Sequence, residues 1–255
     1  MRIMTLNIWG VYFGNPVEER IDAIEATLRK YSSDVFGLQE ACWQWRGSDL
    51  YERLSDEYTV ITEENDYTPL FFKTNVFNLL ESGHFLYANT PDESKGVTWA
   101  VLEEMQSGKK IGVLNTHLWW KTGEEHDLIR EQNATELFAK MQEIKDKYGD
   151  IPVFAFGDLN SRAYMRAMKY LNKNGVVSSY EIAENFSPNS SHHGDPVRDE
   201  QGIYRGKTTE APKEESLDHI VTFKGFSGIK EQKVVEDQII LDATDHSPVY
   251  IDFEF

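Results

Sequence analysis

The stretch FAFGDLNSRAY places two polar side chains at the end of an apolar run. Asp158 and Asn160 follow residues 153–156 and stand two positions apart. In an extended chain, residues i and i+2 project to the same face, so this carboxylate and this amide point the same way. Such a pair can form one wall of a polar site. The alternative is a turn whose Asp and Asn side chains bind only their own backbone.

Residues with similar chemistry stand at five further boundaries of apolar runs. They are Asn7 in TLNIWG, Glu40 in FGLQEA, His117 in GVLNTHLWW, Asp218 in SLDHI, and Asp245 with His246 in TDHSPV. Any one of them is ordinary at a turn. Their recurrence indicates a site, because the ends of strands that lie side by side converge on one rim.

The oxygen-bearing members of this set predict a metal. Glu40, Asp245 and Asn7 offer hard oxygen ligands, which suit Mg²⁺ or Mn²⁺ better than zinc. The sequence contains no HExxH motif and no paired CxxC motif that would favour zinc. We therefore expect Mg²⁺, or Mn²⁺ in its place, as cofactor.

Hydrophobic periodicity predicts the elements that must carry these residues. Strands are expected at 1–9, 32–41, 68–78, 96–103, 110–118, 151–156, 217–223 and 249–253, and helices at 18–31, 127–148 and 165–172. Some strands follow one another without an intervening helix, which favours stacked sheets covered by helices over a strictly alternating parallel fold. Residues 180–216 show little periodicity, and we interpret them as a substrate loop. No linker or repeat divides the chain, so one domain over residues 1–255 is predicted.

The charge balance limits the class of partner. The formal net charge is −17, from 43 Asp and Glu against 26 Lys and Arg. This disfavours binding of nucleic acid through a broad basic surface, although a bound cation would still permit a nuclease. The single cysteine, Cys42, fits a reducing compartment, and no segment approaches the ~20 apolar residues of a membrane span. We expect a cytoplasmic monomer without stable membrane association.

Taken together and in order, the motifs around these residues resemble the endonuclease/exonuclease/phosphatase superfamily. The resemblance rests on LN at Asn7, LQE at Glu40, NTHL at His117, GDLN at 157–160, LDHI at Asp218 and TDHSPV at 244–249. It spans nearly the whole chain. It implies an α/β fold, a four-layer α-β-β-α sandwich of two packed mixed sheets flanked by helices, and Mg²⁺-dependent cleavage of a phosphoester.

The resemblance also implies a role for each residue. Glu40 would be the principal metal ligand, with Asn7 and Asp245 near it. Asp158 would orient or deprotonate the attacking water, and Asn160 would hold that water or the phosphate. His246 would contact a non-bridging oxygen with its ring held by Asp218, and His117 would be a second phosphate contact or an acid. Some members pair the His117-like imidazole with a glutamate, and the nearest counterpart here is the shorter Asp66.

Substrate contacts are predicted from residues close to the motifs. Trp119 follows His117 closely, as other tryptophans follow Asn7 and Glu40, which favours an aromatic pocket for a nucleobase or a sugar. Arg130 and Arg205 are candidate phosphate partners. The alternatives are that the tryptophans only pack in the core or at the rim of the site, and that the arginines are only solvated surface residues.

The predicted function is a divalent-metal-dependent phosphoesterase that hydrolyses a phosphodiester or phosphomonoester by in-line attack of water. A small or single-stranded substrate, such as a nucleotide or a sugar phosphate, is preferred over duplex DNA. The alternatives are a DNA endonuclease or exonuclease of the same family, and a catalytically silent binding protein on the same fold. A thiol enzyme using Cys42 is a more distant alternative.

Overall fold

Two large mixed β-sheets lie at the centre of the computed structural model, which describes residues 1–254. Within that range the strands are β1 Arg2–Asn7, β2 Val35–Gln39, β3 Tyr58–Ile61, β4 Leu70–Lys73, β5 Phe77–Leu86, β6 Gly96–Glu104, β7 Lys110–His117, β8 Val153–Asp158, β9 Val176–Ser178, β10 Asn185–Phe186, β11 Val197–Arg198, β12 Tyr204–Arg205, β13 Asp218–Phe223, β14 Ile229–Val234 and β15 Val249–Phe253. The α-helices are α1 Ile21–Tyr31, α2 Trp43–Arg46, α3 Leu50–Leu54, α4 Glu124–Tyr148, α5 Arg166–Lys173, α6 Ser179–Ile182 and α7 Gln238–Leu241.

The first sheet has the strand order β10-β14-β15-β1-β2-β4-β3, and the second has the order β5-β6-β7-β8-β13-β9. In each sheet one parallel pair lies near the centre, β1 with β2 and β7 with β8. The carboxyl ends of these four strands carry Asn7, Glu40, His117 and Asp158. The sheet topology therefore brings four of the predicted site residues to one end of the molecule.

Three apolar layers hold the sheets and helices together. Between the sheets, side chains such as Ile3, Phe154 and Ile251 are fully or almost fully buried. Outside the first sheet, α1 buries Ile24 and Leu28 against that sheet. Outside the second sheet, α4 and α5 form the corresponding layer. This is the predicted four-layer α-β-β-α sandwich, and the fold prediction is confirmed.

A polar contact joins the sheets close to the site. Asn115 on β7 donates from Nδ2 to the carbonyl oxygens of Leu38 and Pro69, both at 2.8 Å, and its Oδ1 accepts from Gln39 Nε2 at 2.6 Å. A Cβ at Gly37 would lie 2.2 Å from Cγ of Asn115, so the absence of a side chain there makes room for this contact. Buried polar groups that are fully paired fix one relative position of packed elements.

Most predicted elements are confirmed within a few residues, with one clear error. The strand predicted at 68–78 is two strands, because the chain turns at Thr74 to Val76 between β4 and β5. The rest of β5, together with β3 and β14, was not predicted. β5 exposes Asn78, Leu79 and Leu80 in succession and has a register shift there, so it lacks the alternation of a half-buried strand. None of the helices in residues 1–254 has the length and apolar character needed to cross a bilayer.

Candidate active site

Three adjacent strands of the second sheet place an imidazole and two carboxylates in one row. β7 sets His117 beside Asp158, and β13 sets Asp218 on the other side of Asp158. All three side chains are buried. Gly157 permits this close approach, because its φ is 150° and a Cβ there would lie 1.8 Å from the carbonyl oxygen of Thr116.

Asn7 and Glu40 reach the same place from the first sheet. Asn7 Nδ2 donates to Glu40 Oε1 at 3.2 Å and to Asp158 Oδ2 at 3.1 Å. Asn7 Oδ1 accepts the backbone N–H of Trp9 at 3.0 Å. Asn7 therefore joins the two carboxylates across the sheets. Since its oxygen already has a donor, direct ligation of a metal by Asn7 stays a prediction.

Asp158 and Asn160 form a local turn and also face the site. Asp158 Oδ1 accepts the backbone N–H of Asn160 at 2.8 Å, which is the turn that the sequence offered as an alternative. At the same time, Asn160 Nδ2 lies 3.0 Å from His117 Nε2, and both Asp158 and Asn160 line a common cavity. The turn is therefore present, and it directs both side chains toward the cavity; their catalytic role stays a prediction.

His246 is held by a buried hydrogen-bond chain. Its Nδ1 donates to Asp218 Oδ2 at 2.7 Å, and the same oxygen accepts the hydroxyl of Ser191 at 2.6 Å. The other ring nitrogen, Nε2, lies 3.9 Å from Asp158 Oδ2 and 3.9 Å from Asp245 Oδ2. Nε2 is therefore the atom that His246 presents to the site.

These contacts set the charges of the site. Burial lowers the pKa of His246, but Asp218, Asp245 and Asp158 outweigh burial and raise that pKa well above its ordinary value. Burial likewise opposes the charge of Asp158, yet His246, His117 and the Asn160 N–H hold the pKa of Asp158 well below its usual range. An imidazolium and a carboxylate therefore face each other at neutral pH.

Glu40 and Asp245 fit a divalent cation. The pKa of Glu40 is lowered, because His117, Lys95 and the Gly10 N–H, which donates at 2.6 Å, outweigh burial. Burial raises the pKa of Asp245 to about 7; His246 opposes this rise and the charge of Glu40 adds to it. Asp245 Oδ1 is buried without a hydrogen-bond partner among residues 1–254. A cation between these carboxylates would relieve their repulsion and engage that oxygen. The described acid and histidine groups whose ligand atoms already lie close together are His192 with Asp245 and His246, and Asp158 with Asp218 and His246. Glu40 belongs to neither group, so its ligation of the metal stays a prediction.

If Glu40 and Asp245 bind a metal, the stabilisation of the folded protein by that metal should depend on pH. Because the folded pKa of Asp245 is above its unfolded value, the stability it contributes is present at low pH and is lost as pH rises through about 7. A cation favours the charged carboxylate, so the same fixed concentration of Mn²⁺ should raise Tm more at pH 8 than at pH 5.5. Metal at 100 times Kd gives about 2.7 kcal/mol, or roughly 5–10 °C in a chain of this size. Differential scanning calorimetry measures this, and equal rises at both pH values would contradict it.

Asp245→Asn is the matched control for this measurement. It removes the titrating group without changing the shape of the side chain. The metal-free variant should lose less stability than wild type between pH 5.5 and pH 8. An unchanged pH dependence in the variant would assign the effect to another group.

A cavity of about 680 Å³ opens over these residues. Aromatic side chains form part of its wall, and acidic side chains lie both in the site and on the segment before β6. Its lining comprises Trp9, Tyr12, Glu40, Asn65, Tyr67, Asp92, Glu93, Ser94, Lys95, Trp120, Asp158, Asn160, His192, Leu217, Asp245 and His246. This volume lies within the range of small-molecule sites.

The three residues predicted to bind substrate lie outside this lining. Trp119 is buried, and its indole N–H donates to His126 Nδ1 at 3.0 Å. Arg130 donates to the carbonyl oxygens of Trp119 and Lys121. Arg205 pairs with acidic side chains on the surface. Their substrate contacts stay predictions, and it is the neighbouring Trp120, 54% exposed, that faces the cavity.

Two buried cations beside the site, Arg20 and Lys95, were not predicted from the sequence. The buried guanidinium of Arg20 donates to the carbonyl oxygens of Ile8, Trp9, Asn15 and Ala243. It therefore fixes the loop after β1, in which the backbone N–H of Gly10 donates to Glu40. Its only sequence signal is an arginine at the start of an amphipathic helix. Lys95 is the other, and its Nζ lies 3.3 Å from His117 Nδ1.

Asp66, the sequence counterpart of the glutamate found in some family members, forms its hydrogen bonds with threonines and not with His117. Its Oδ1 accepts the backbone N–H and the hydroxyl of Thr68 at 2.6 and 3.0 Å, and its Oδ2 accepts the hydroxyl of Thr98 at 2.8 Å. The group that lies beside His117 Nδ1 is Lys95, so the pairing of His117 with Asp66 is absent among the described residues.

Backbone strain is concentrated at the site. Trp9, Glu40 and Asn160 have φ values of 53°, 59° and 46°. Residues other than glycine rarely adopt positive φ, and such residues cluster where function fixes the backbone. The strain falls on the three loops that leave β1, β2 and β8, which are the loops that aim the predicted catalytic groups.

Comparison with known proteins agrees with this geometry. The sequence model of the Endonuclease/Exonuclease/phosphatase family matches residues 4–246. The chain belongs to this family, whose enzymes hydrolyse phosphoester bonds and use divalent metals. No curated protein sequence matches it significantly.

Solved structures share the fold at low sequence identity. A mannosyl-6-phosphatase from Bacteroides thetaiotaomicron VPI-5482 is 20% identical with a TM-score of 0.80, and the match covers 100% of both chains. The human Nocturnin catalytic domain with bound sulfate is 22% identical with a TM-score of 0.74, covering 100% of this chain and 94% of that one. Truncated Caenorhabditis elegans TDP2 is 17% identical with a TM-score of 0.70, covering 99% and 96%. At these identities the likeness shows the fold.

Proposed function

We propose that the protein is a Mg²⁺-dependent phosphoesterase that hydrolyses a small phosphate ester by in-line attack of water. The observation that carries this proposal is that Glu40, Asp245, Asp158 and His246 line one cavity, with the ring of His246 held from behind by Asp218. A water nucleophile, a donor for developing charge and a cation are the three things that phosphoester hydrolysis requires.

Glu40 and Asp245 would hold the metal, and Asn7 would keep Glu40 and Asp158 at their spacing. When bound, the cation supplies positive charge to the phosphate and lowers the pKa of nearby water. Asp158 is ionised at neutral pH, so it can orient the attacking water through a hydrogen bond. Because its pKa is low, it takes the proton only as the new O–P bond forms and makes that water acidic. Asn160 lies two residues away on the same wall and can position that water or a phosphate oxygen.

The step balances with these groups. The water oxygen forms a bond to phosphorus, the ester P–O bond breaks, and its electron pair goes to the leaving oxygen. The leaving oxygen takes a proton from solvent and departs as an alcohol, while a proton of the attacking water passes to Asp158 and from there to solvent. The imidazolium of His246 donates from Nε2 to a non-bridging oxygen as negative charge develops there, and Asp218 keeps the ring charged and oriented.

The cavity and the charge of the chain support a small substrate. Trp9, Tyr12, Tyr67 and Trp120 offer faces and edges for one sugar or base ring. Asp92 and Glu93 at the cavity, with a net charge of −17, disfavour a long polyanion. The fold is shared with a mannosyl-6-phosphatase, which adds support for a sugar phosphate.

Product release from a substrate panel tests the proposal. Mannose 6-phosphate, a nucleoside 5′-monophosphate, a single-stranded oligonucleotide and duplex DNA would each be incubated with Mg²⁺ or with EDTA. We expect Mg²⁺-dependent turnover that is at least tenfold faster, as kcat/KM, on a small ester than on either nucleic acid. Faster cleavage of the nucleic acids would favour the endonuclease or exonuclease alternative. Binding of Mg²⁺ and ligand without turnover of any substrate would favour the silent binding protein.

A further inference from the structure

Lys95 is a buried cation aimed into the candidate active site. It stands at the turn before β6, its residue exposure is 6%, and it lines the cavity. Its Nζ lies 3.3 Å from His117 Nδ1, which is the one hydrogen-bond partner of this ammonium among residues 1–254. An ammonium carries three N–H donors, so two of them have no acceptor within the described part of the chain.

The charge of Lys95 is not neutralised by an ion pair. Within residues 1–254, no carboxylate oxygen lies within 4.0 Å of its Nζ, whereas Lys30, Lys73, Lys140 and Lys147 each make such an ion pair. Burial lowers the pKa of Lys95, and the more distant charges of Glu40, Asp158 and Asp92 oppose that shift. Buried charges are normally paired, so an unpaired one beside a cavity indicates a missing anionic partner.

The lining of the cavity makes Lys95 distinctive. Among the described lining residues it is the one lysine or arginine, against the acids Glu40, Asp92, Glu93, Asp158 and Asp245. It is also adjacent to His117, whose Nε2 lies 3.4 Å from Asp158 Oδ2. An anion held by Lys95 would therefore sit beside the carboxylate proposed to take the proton of the attacking water.

We propose that Lys95 binds a terminal oxygen of the substrate phosphate and makes the site selective for phosphomonoesters over phosphodiesters. This inference rests on the proposed function. A monoester presents three terminal oxygens and is a dianion near neutral pH, whereas a diester presents two and is a monoanion. The site offers three positive groups for these oxygens: Lys95, the His246 imidazolium, and the cation that Glu40 and Asp245 would hold. The third oxygen and the second negative charge of a monoester are what Lys95 recognises.

Two esters with the same leaving group test the selectivity. Wild type, Lys95→Met and Lys95→Arg would be assayed with p-nitrophenyl phosphate and with methyl p-nitrophenyl phosphate in Mg²⁺. Loss of one donor to a developing oxyanion costs about 10²–10³-fold. We expect Lys95→Met to lose about 100-fold in kcat/KM on the monoester and less than about fivefold on the diester, with Lys95→Arg restoring most of the loss. Lys169→Met, which changes an exposed lysine of α5, is the matched control.

A binding measurement separates failure of this inference from failure of the proposed function. Titration calorimetry with inorganic phosphate, in Mg²⁺ and in EDTA, does not require turnover. At least tenfold weaker phosphate binding by Lys95→Met supports the inference even if wild type hydrolyses neither ester, which would overturn the proposed function alone. Equal losses on both esters, or unchanged phosphate affinity in Lys95→Met, would overturn the inference.

Discussion

Asp158→Asn should lower kcat by about 10²- to 10⁴-fold, which is the usual contribution of a general base. The amide keeps the shape of the carboxylate but cannot take a proton from water. Asn7 Nδ2 and His117 Nε2 both face Asp158 Oδ2, so the variant also loses the negative charge that these groups surround. KM should change by only a few-fold, because the cation and His246 remain. Steady-state kinetics in saturating Mg²⁺ measures both constants.

The control for Asp158→Asn is Asp150→Asn. Asp150 is an exposed carboxylate three residues before the start of β8. Circular dichroism and Mn²⁺ affinity show whether each variant is folded with an intact metal site. A folded Asp158→Asn protein that binds Mn²⁺ and keeps more than about a tenth of wild-type kcat would contradict the role of Asp158.

Glu40→Gln should remove metal binding and turnover together. Glu40 is held charged by its surroundings, since its pKa is lowered although the side chain is partly buried. Loss of an outer-sphere partner typically costs about 10–100-fold in metal affinity, so loss of the principal ligand should cost about 100-fold or more. Titration of Mn²⁺ followed by electron paramagnetic resonance measures the affinity, and phosphate release measures turnover.

Raising the Mn²⁺ concentration gives this second prediction its own check. If Glu40 acts by holding the cation, part of the lost turnover should return at high Mn²⁺. Glu64→Gln, at an exposed position, should behave as wild type. If Glu40→Gln keeps a Mn²⁺ affinity within about threefold of wild type, the cation binds at another site. The next candidate ligands would then be His192, Asp245 and His246.

The sequence was most informative where local pattern and long-range topology agree. An apolar run followed by a polar residue predicted the ends of β7 and β8, and sheet pairing then places His117 and Asp158 side by side. The same reasoning located Asp218 on β13. Strand periodicity fixes which residues share a face, so these predictions needed no knowledge of distant contacts.

Residues beyond the strand ends could not be placed in the same way. Trp119 and Trp120 lie just past the end of β7, where alternation no longer decides which side chain faces the cavity. Arg130 is on the long helix α4, and only the packing of that helix against residues 119–121 shows that its guanidinium binds backbone carbonyl oxygens.

Lys95 is a residue of the cavity that the sequence did not predict at all. Lys95 follows the polar segment ahead of β6, a pattern that is typical of a solvated turn. The pairing of β6 with β7 nevertheless places it beside His117. Its burial is a property of the assembled sheet and has no local pattern in the sequence.

The central claim is that the converging strand ends form one metal-dependent hydrolytic site. A crystal structure of the protein with Mn²⁺ and phosphate, with the cation located by anomalous scattering, tests this most directly. We predict a Mn²⁺ peak in direct contact with Glu40 and Asp245, and phosphate between that cation, His246 and Lys95. A cation bound away from Glu40 and Asp245, or phosphate outside this cavity, would contradict the account.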